Sequence, residues 1–192
     1  MVVSSRLHSL FLVGVVLAFF AITSQVAIAE DMAPPKDSSS MLPMDDERLK
    51  ALISRVGSDI QGRPGFWQFM LEKREVMVIS DQKADRMRIL VPVVSTDKLS
   101  AAEMRRLLQA NFDSALDARY AIAKGALWSA FIHPLSSLDD KAFLGALGQV
   151  INLAATYGDS YTSGALTFNG GDTRAIERRK LIDKLIKKGL AI

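Results

Sequence analysis

Any nucleophilic or metal chemistry in this chain would have to start from His133. The 192 residues include two histidines and no cysteine, and His8 lies in an apolar N-terminal stretch. A zinc site built from Cys and His is therefore excluded, and a Ser-His-Asp triad would have to use His133. That residue ends an apolar run and precedes Pro134, where an imidazole bonded to backbone is the expectation. Two carboxylate pairs, Asp45-Asp46 and Asp139-Asp140, could serve acid–base chemistry. Both open stretches of helical periodicity, and capping of free N–H groups accounts for them there. Gly164 and Gly170-Gly171 match neither dinucleotide-loop nor phosphate-loop spacing. A hydrolase centred on His133 or Asp139-Asp140 would need a pocket that gathers them with Ser or Asn donors. The residues read instead as those of a binding protein, with no catalytic residue, metal or cofactor expected.

Two other stretches could bind. Residues 172–192 carry seven cations, Arg174, Arg178, Arg179, Lys180, Lys184, Lys187 and Lys188, against three carboxylates. Ile176, Ile182, Leu185, Ile186 and Leu190 run along them as an apolar strip. Such a helix could lie on an anionic membrane or an acidic partner through Arg178, Arg179, Lys184, Lys187 and Lys188, or dock on its own domain with its charges outward. The second stretch is Phe66-Trp67-Gln68-Phe69-Met70-Leu71. A strand sends alternate side chains to opposite faces, so Phe66 and Met70 go one way and Trp67, Phe69 and Leu71 the other. Both faces are apolar. Either both are covered within the domain or one meets a partner, and exposure of Trp67 would mark the partner face.

The elements that position these residues follow from periodicity and punctuation. Arg6, the uncharged run 10–22 and Ala27-Ile28-Ala29 form the three-part pattern of a secretory signal peptide, cleaved after Ala29, the alternative being an uncleaved N-terminal anchor. The exported chain is then periplasmic or secreted. Residues 30–44, with three prolines and a serine run, read as a disordered spacer. The whole-chain charge of +3 becomes +2 without Arg6, too balanced to favour nucleic acid. With no cysteine for disulfides, stability must come from a core within 45–157. Leu49, Leu52, Ile53, Val56 and Ile60 predict a helix from Asp45-Asp46 to the glycines and proline at 62–65. Strands are predicted at 66–71, 76–80 and 87–94 with short polar links around Glu72-Lys73-Arg74 and from Asp81 to Asp85, hence an antiparallel meander. Pro92 is expected at an edge or strand end. A helix capped by Thr96 or Ser100, with Glu103 placed to complete a capping box with Ser100, carries Met104, Leu107, Leu108, Phe112 and Leu116. Strands at 119–123 and 127–133, turning at Lys124-Gly125, are followed by a helix capped by Ser137 or Asp139 that runs to about Tyr157 with Phe143, Leu144, Leu147, Val150, Ile151 and Leu153 as its apolar positions. The Gly-rich 158–171 holds one short strand at 165–168, and the basic helix ends the chain. The order α-β-β-β-α-β-β-α plus a C-terminal helix is an α+β fold, an antiparallel sheet with helices.

With that order in view, residues 45–157 resemble the type III secretion chaperone-like family, the Tir-chaperone fold. The local likeness lies in Leu99-Ser100-Ala101-Ala102-Glu103 through Leu108-Gln109-Ala110-Asn111-Phe112, then Ala118-Arg119-Tyr120-Ala121-Ile122, Leu127-Trp128 and His133-Pro134-Leu135. The resemblance implies a homodimer that binds a partly unfolded protein or peptide client and does no chemistry. It implies a dimer interface at Met104, Leu107, Leu108, Phe112, Tyr120 and Ile122. It implies client contacts at Leu49, Leu52, Ile53, Trp67 and Phe69. Family chaperones are typically cytosolic and acidic, whereas this chain reads as an exported, mildly basic member. The 158–192 extension lies outside the family pattern.

Overall fold

The computed structural model describes residues 43–163 and 173–191, and the side chains of 173–177 are outside that description. The leader at 1–29, most of the spacer and the short strand expected at 165–168 lie outside the described residues. Met44, which the sequence assigns to the spacer, is buried with the core.

Helix α1 (Asp46–Val56) starts where the Asp45 carboxylate accepts from the Arg48 N–H at 2.8 Å. It buries Leu49, Leu52, Ile53 and Val56. It stops four residues short of the predicted Ile60, because the Gly57 N–H closes the last turn on the Ile53 carbonyl. The chain then enters a strand that the sequence reading missed, β1 (Ser58–Arg63). Gly57 is required by space: a Cβ there would come within 2.6 Å of the Phe69 ring, which is fully buried and cannot retreat. Gly57→Ala is therefore expected to destabilise by about 1–3 kcal/mol through overpacking; urea unfolding checks this, and a midpoint equal to wild type would show that the ring gives way.

The sheet continues with β2 (Phe66–Leu71), β3 (Arg74–Asp81) and β4 (Arg86–Ser95). A 3-10 turn at Thr96–Lys98 leads into α2 (Ala101–Asp113), followed by β5 (Arg119–Ala123), β6 (Ala126–His133), α3 (Asp140–Ala155) and α4 (Thr173–Leu190). The strands lie in the order β1-β2-β3-β4-β6-β5, every pair antiparallel. The fold is α+β as expected, with β1 as an added edge strand. Glu72-Lys73 and Lys124-Gly125 take positive φ at the two tight turns, the geometry that matches the twist of a hairpin. Pro92 does not sit at an edge: it lies in β4, between β3 and β6. It is tolerated there because pairing with β3 ends at Leu90 and the register with β6 shifts between Pro92 and Val94, so no ladder donor is demanded of it.

The helices collect on one face of the sheet. β2 alternates half-buried and buried, with Trp67, Phe69 and Leu71 inward. Val76, Val78, Ile89, Val91, Leu127 and Phe131 continue that face. Helix α3 runs across β4 and β6 and is buried from Phe143 through Ala154. α4 packs on α3 and α1, burying Ile182 and Leu185. Gly148 lets it close in, since a Cβ there would stand 2.7 Å from the Ile182 side chain and 3.0 Å from its Cα.

Candidate functional site

The residues first suspected of chemistry are all occupied structurally. The Nδ1 of His133 lies 2.7 Å from the Pro134 carbonyl, and its ring stacks on Phe131. Asp45 and Asp139 cap α1 and α3, Asp139 accepting from the Ala142 N–H at 2.6 Å. Asp140 holds Arg48 at 2.5 Å and so ties α3 to α1; this bond raises the Arg48 pKa further. Asp46 accepts from the Ser80 hydroxyl and from Gln82. Among the described residues no three His, Asp or Glu side chains gather in a way that could hold a metal. His133 and Asp139 do line one groove of about 630 Å³ between β6, α3 and α4, but each keeps its backbone partner.

Two apolar surfaces remain, and they are the candidate site. The first lies along α2 and β5. α2 opens with the predicted capping box: the Ser100 hydroxyl takes the Glu103 N–H, and Glu103 returns to the Ser100 N–H at 2.8 Å. Those bonds hold the Glu103 carboxyl below the usual carboxylate range. The helix is fastened chiefly by polar links. The Asn111 amide accepts from the Tyr120 N–H at 2.7 Å and donates to the Tyr120 carbonyl at 3.1 Å. Ser163 Oγ accepts from the Leu116 N–H at 2.7 Å, and the Arg106 guanidinium lies 4.9 Å over the Tyr161 ring. Leu107 and Ala110 are the side chains that α2 buries.

The rest of its apolar stripe points to solvent. Leu108 is 70% exposed, Phe112 91% and Ile122 on β5 52%, with Met104 beside them. Between α2 and β5 lies a hollow of about 260 Å³ lined by Met104, Leu107, Leu108, Asn111, Tyr120 and Ile122 among others. The six residues named for a dimer interface are thus brought together, four on the surface and two, Leu107 and Tyr120, beneath it. Tyr120 donates to the Leu153 carbonyl at 2.6 Å, and burial raises its phenol pKa.

The residues named for client contact are a correction. Leu49, Leu52, Ile53, Trp67 and Phe69 are all core, and Trp67 is 5% exposed. α1 lies over them, with Gly57 against the Phe69 ring and the Lys50 ammonium 5.6 Å over the Trp67 ring. The alternation in β2 was read correctly, but the outward set is the other one. Cross-strand pairing puts Phe66, Ile79, Arg88 and Ile132 in one row and Gln68, Met77, Leu90 and Ala130 in the next. Phe66, Met77 and Leu90 are half-buried, and Ile79 and Ile132 are exposed. This outer sheet face is the second apolar surface. Sequence reasoning missed it because the period of a strand says which side chains share a face, not which face a helix will cover.

The basic C-terminal helix is turned toward its own domain. Its apolar residues Ile182 and Leu185 are buried, Lys184 pairs with Glu72 at 2.9 Å, and Lys188 donates to the Val56 carbonyl at 3.2 Å. Arg55 of α1 reaches back to the Gly189 carbonyl at 2.8 Å. Arg178 gives its backbone carbonyl to Asn152, and Arg179 pairs with Asp183 at 3.3 Å. An amphipathic docking on lipid would require the strip that α3 and α1 already hold; Lys187 keeps an exposed charge. Among the described residues no helix is long and apolar enough to cross a membrane.

No protein-family model matches the chain, and no curated protein matches it. Solved structures do. The chain is similar to one in the HopA1-SchA chaperone–effector complex, with a TM-score of 0.43 and 8% identity over 59% of this chain and 89% of that one. It is similar to one in the ExsC-ExsE complex, with a TM-score of 0.46 and 16% identity over 65% of this chain and 95% of that one. It is also similar to one in the complex of the Yersinia pestis type III secretion chaperone SycH with a stable fragment of YscM2, with a TM-score of 0.46 and 14% identity over 58% of this chain and 98% of that one. SycH belongs to the class of chaperones that the sequence resembles.

Proposed function

We propose that this chain is an exported, non-enzymatic protein-binding domain that works as a homodimer and holds segments of protein clients. The observation that carries the reading is the α2–β5 surface: Met104, Leu108, Phe112 and Ile122 lie exposed together beside a hollow. An apolar cluster of this kind is disfavoured on a monomer and marks an interaction surface. Its shape supports self-association. In a two-fold interface the same patch serves both copies, so the Phe112 ring of each copy has a hollow to enter on the other. The occupied state of His133 and of both carboxylate pairs supports a role in binding rather than catalysis.

The test uses the protein purified from its own cells. Its intact mass is expected to begin at Glu30, and it is expected to sediment as a dimer at micromolar concentration. The double variant Leu108→Asp/Phe112→Asp is expected to weaken that dimer by about a hundredfold or more, since central aromatic anchors dominate interfaces. Its circular dichroism spectrum and cooperative melt should persist, because both side chains are exposed in the single chain, while the melting midpoint falls by the stabilisation that association supplied. A dimer that survives the double substitution would place the interface elsewhere. A mass that includes residues 1–29 would overturn cleavage of the leader.

A further inference from the structure

The outer face of the sheet is apolar at its centre and cationic, and that combination restricts what can cover it. Arg88 stands between two exposed isoleucines, Ile79 on β3 and Ile132 on β6. Arg63 lies beside Phe66 at the β1 end of the same row. No carboxylate forms an ion pair with either arginine among the described residues. Of the two carboxylates that the central strands carry on this face, Glu75 is taken by the Gln68 amide, and Asp81, at the end of β3, accepts from the Lys83 and Ala84 N–H groups of the turn, both at 3.0 Å; Arg86 stands across from it on β4. Trp128 extends the apolar surface toward β5, half-buried, its indole N–H donating to the Ala123 carbonyl at 2.9 Å.

Anything that covers Phe66, Ile79 and Ile132 also desolvates Arg88. A guanidinium removed from water without a partner is strongly unfavourable, whereas one that meets a carboxylate in bidentate geometry is not. We infer that this face is the docking surface for an apolar segment of another polypeptide that brings acidic side chains to Arg88 and Arg63. The inference rests on the protein-binding reading above and names the client chemistry for it. A second copy of this chain is a poor occupant, because a two-fold contact centred on Arg88 sets like charges face to face. The α2–β5 hollow, whose lining carries no charged residue, suits that role. The inward set of β2 cannot serve the client, since α1 covers it.

The experiment measures binding of two fluorescent synthetic peptides to the full chain by anisotropy. One is an amphipathic peptide of leucine, alanine and glutamate; the other has lysine in place of every glutamate. The glutamate peptide is expected to bind at least about tenfold more tightly, a difference that shrinks as salt rises. Arg88→Glu is expected to invert the preference. Ile132→Asp is expected to weaken the glutamate peptide about tenfold without lowering the unfolding temperature, since that side chain is 59% exposed. Equal binding of the two peptides overturns the inference, as does a glutamate preference untouched by Arg88→Glu. Binding lost in Leu108→Asp/Phe112→Asp but kept in both sheet variants also overturns it, while the protein-binding reading survives at α2. Retention on phosphatidylglycerol vesicles with no uptake of either peptide overturns it in favour of lipid. Sedimentation of the Arg88→Glu variant separates this failure from failure of the dimer, because the dimer should persist in it.

Discussion

Phe69→Ala is expected to lower the stability of the domain by about 3–5 kcal/mol, a large share of the roughly 5–15 kcal/mol that holds an ordinary domain folded. The ring is fully buried and meets the backbone of Gly57 where α1 hands over to β1. Its loss removes both the transfer energy of the ring and the contact that seats α1 on the sheet. On a chain of this size the melting midpoint should fall by roughly 10 °C. Trp67→Phe is the informative partner. Among the described residues the buried Trp67 indole nitrogen has no hydrogen-bond partner, so phenylalanine removes an unsatisfied donor while keeping most of the apolar area. That variant should stay within about 1–2 kcal/mol of wild type. A Phe69→Ala protein that melts like wild type would mean that α1 leaves the sheet readily and that its underside is available to a client after all.

The contrast between those residues shows what the sequence disclosed. Capping at Asp45, Ser100 and Asp139, the turns at 72–73 and 124–125 and the apolar periods of α1, α2 and α3 are local facts, and each was legible. Strand β1 was not: Ser-Asp-Ile-Gln-Gly-Arg is polar, mostly exposed and bulged between Ser58 and Gln61. It is a strand because β2 offers it an edge, not because its residues prefer extension. The same holds for the site. The stripe Met104, Leu108 and Phe112 repeats every four residues, so one glance at the sequence groups them. That they face solvent follows from Asn111 and Leu107, which turn the other side of α2 to β5. The outer sheet face needs four strands in register before Phe66, Ile79, Arg88 and Ile132 become neighbours. These residues are far apart in the chain, and no window on the sequence contains them.

Removal of residues 173–192 is expected to leave the domain unfolded or molten rather than merely shorter. α4 buries Ile182 and Leu185 and half-buries Leu181 and Ile186. The first two alone contribute about 1.5–3 kcal/mol each by apolar area, and their loss uncovers α3 around Leu144 and Gly148. The buried Asn152 amide loses the Arg178 carbonyl to which it donates at 2.9 Å. Arg55 loses the Gly189 carbonyl, and Glu72 its lysine. Together these losses reach the size of the whole stability of a domain. Circular dichroism and binding of a hydrophobic dye to residues 30–172 would read the outcome, with dye uptake and loss of the cooperative melt expected. A truncated chain that melts cooperatively at the wild-type temperature would make α4 a detachable arm. Its seven-cation stretch would then be free for an anionic surface, and the membrane reading of the basic helix would gain the apolar strip it now lacks. The close approach at Gly148 weighs against that result, because a helix built to leave needs no glycine beneath it.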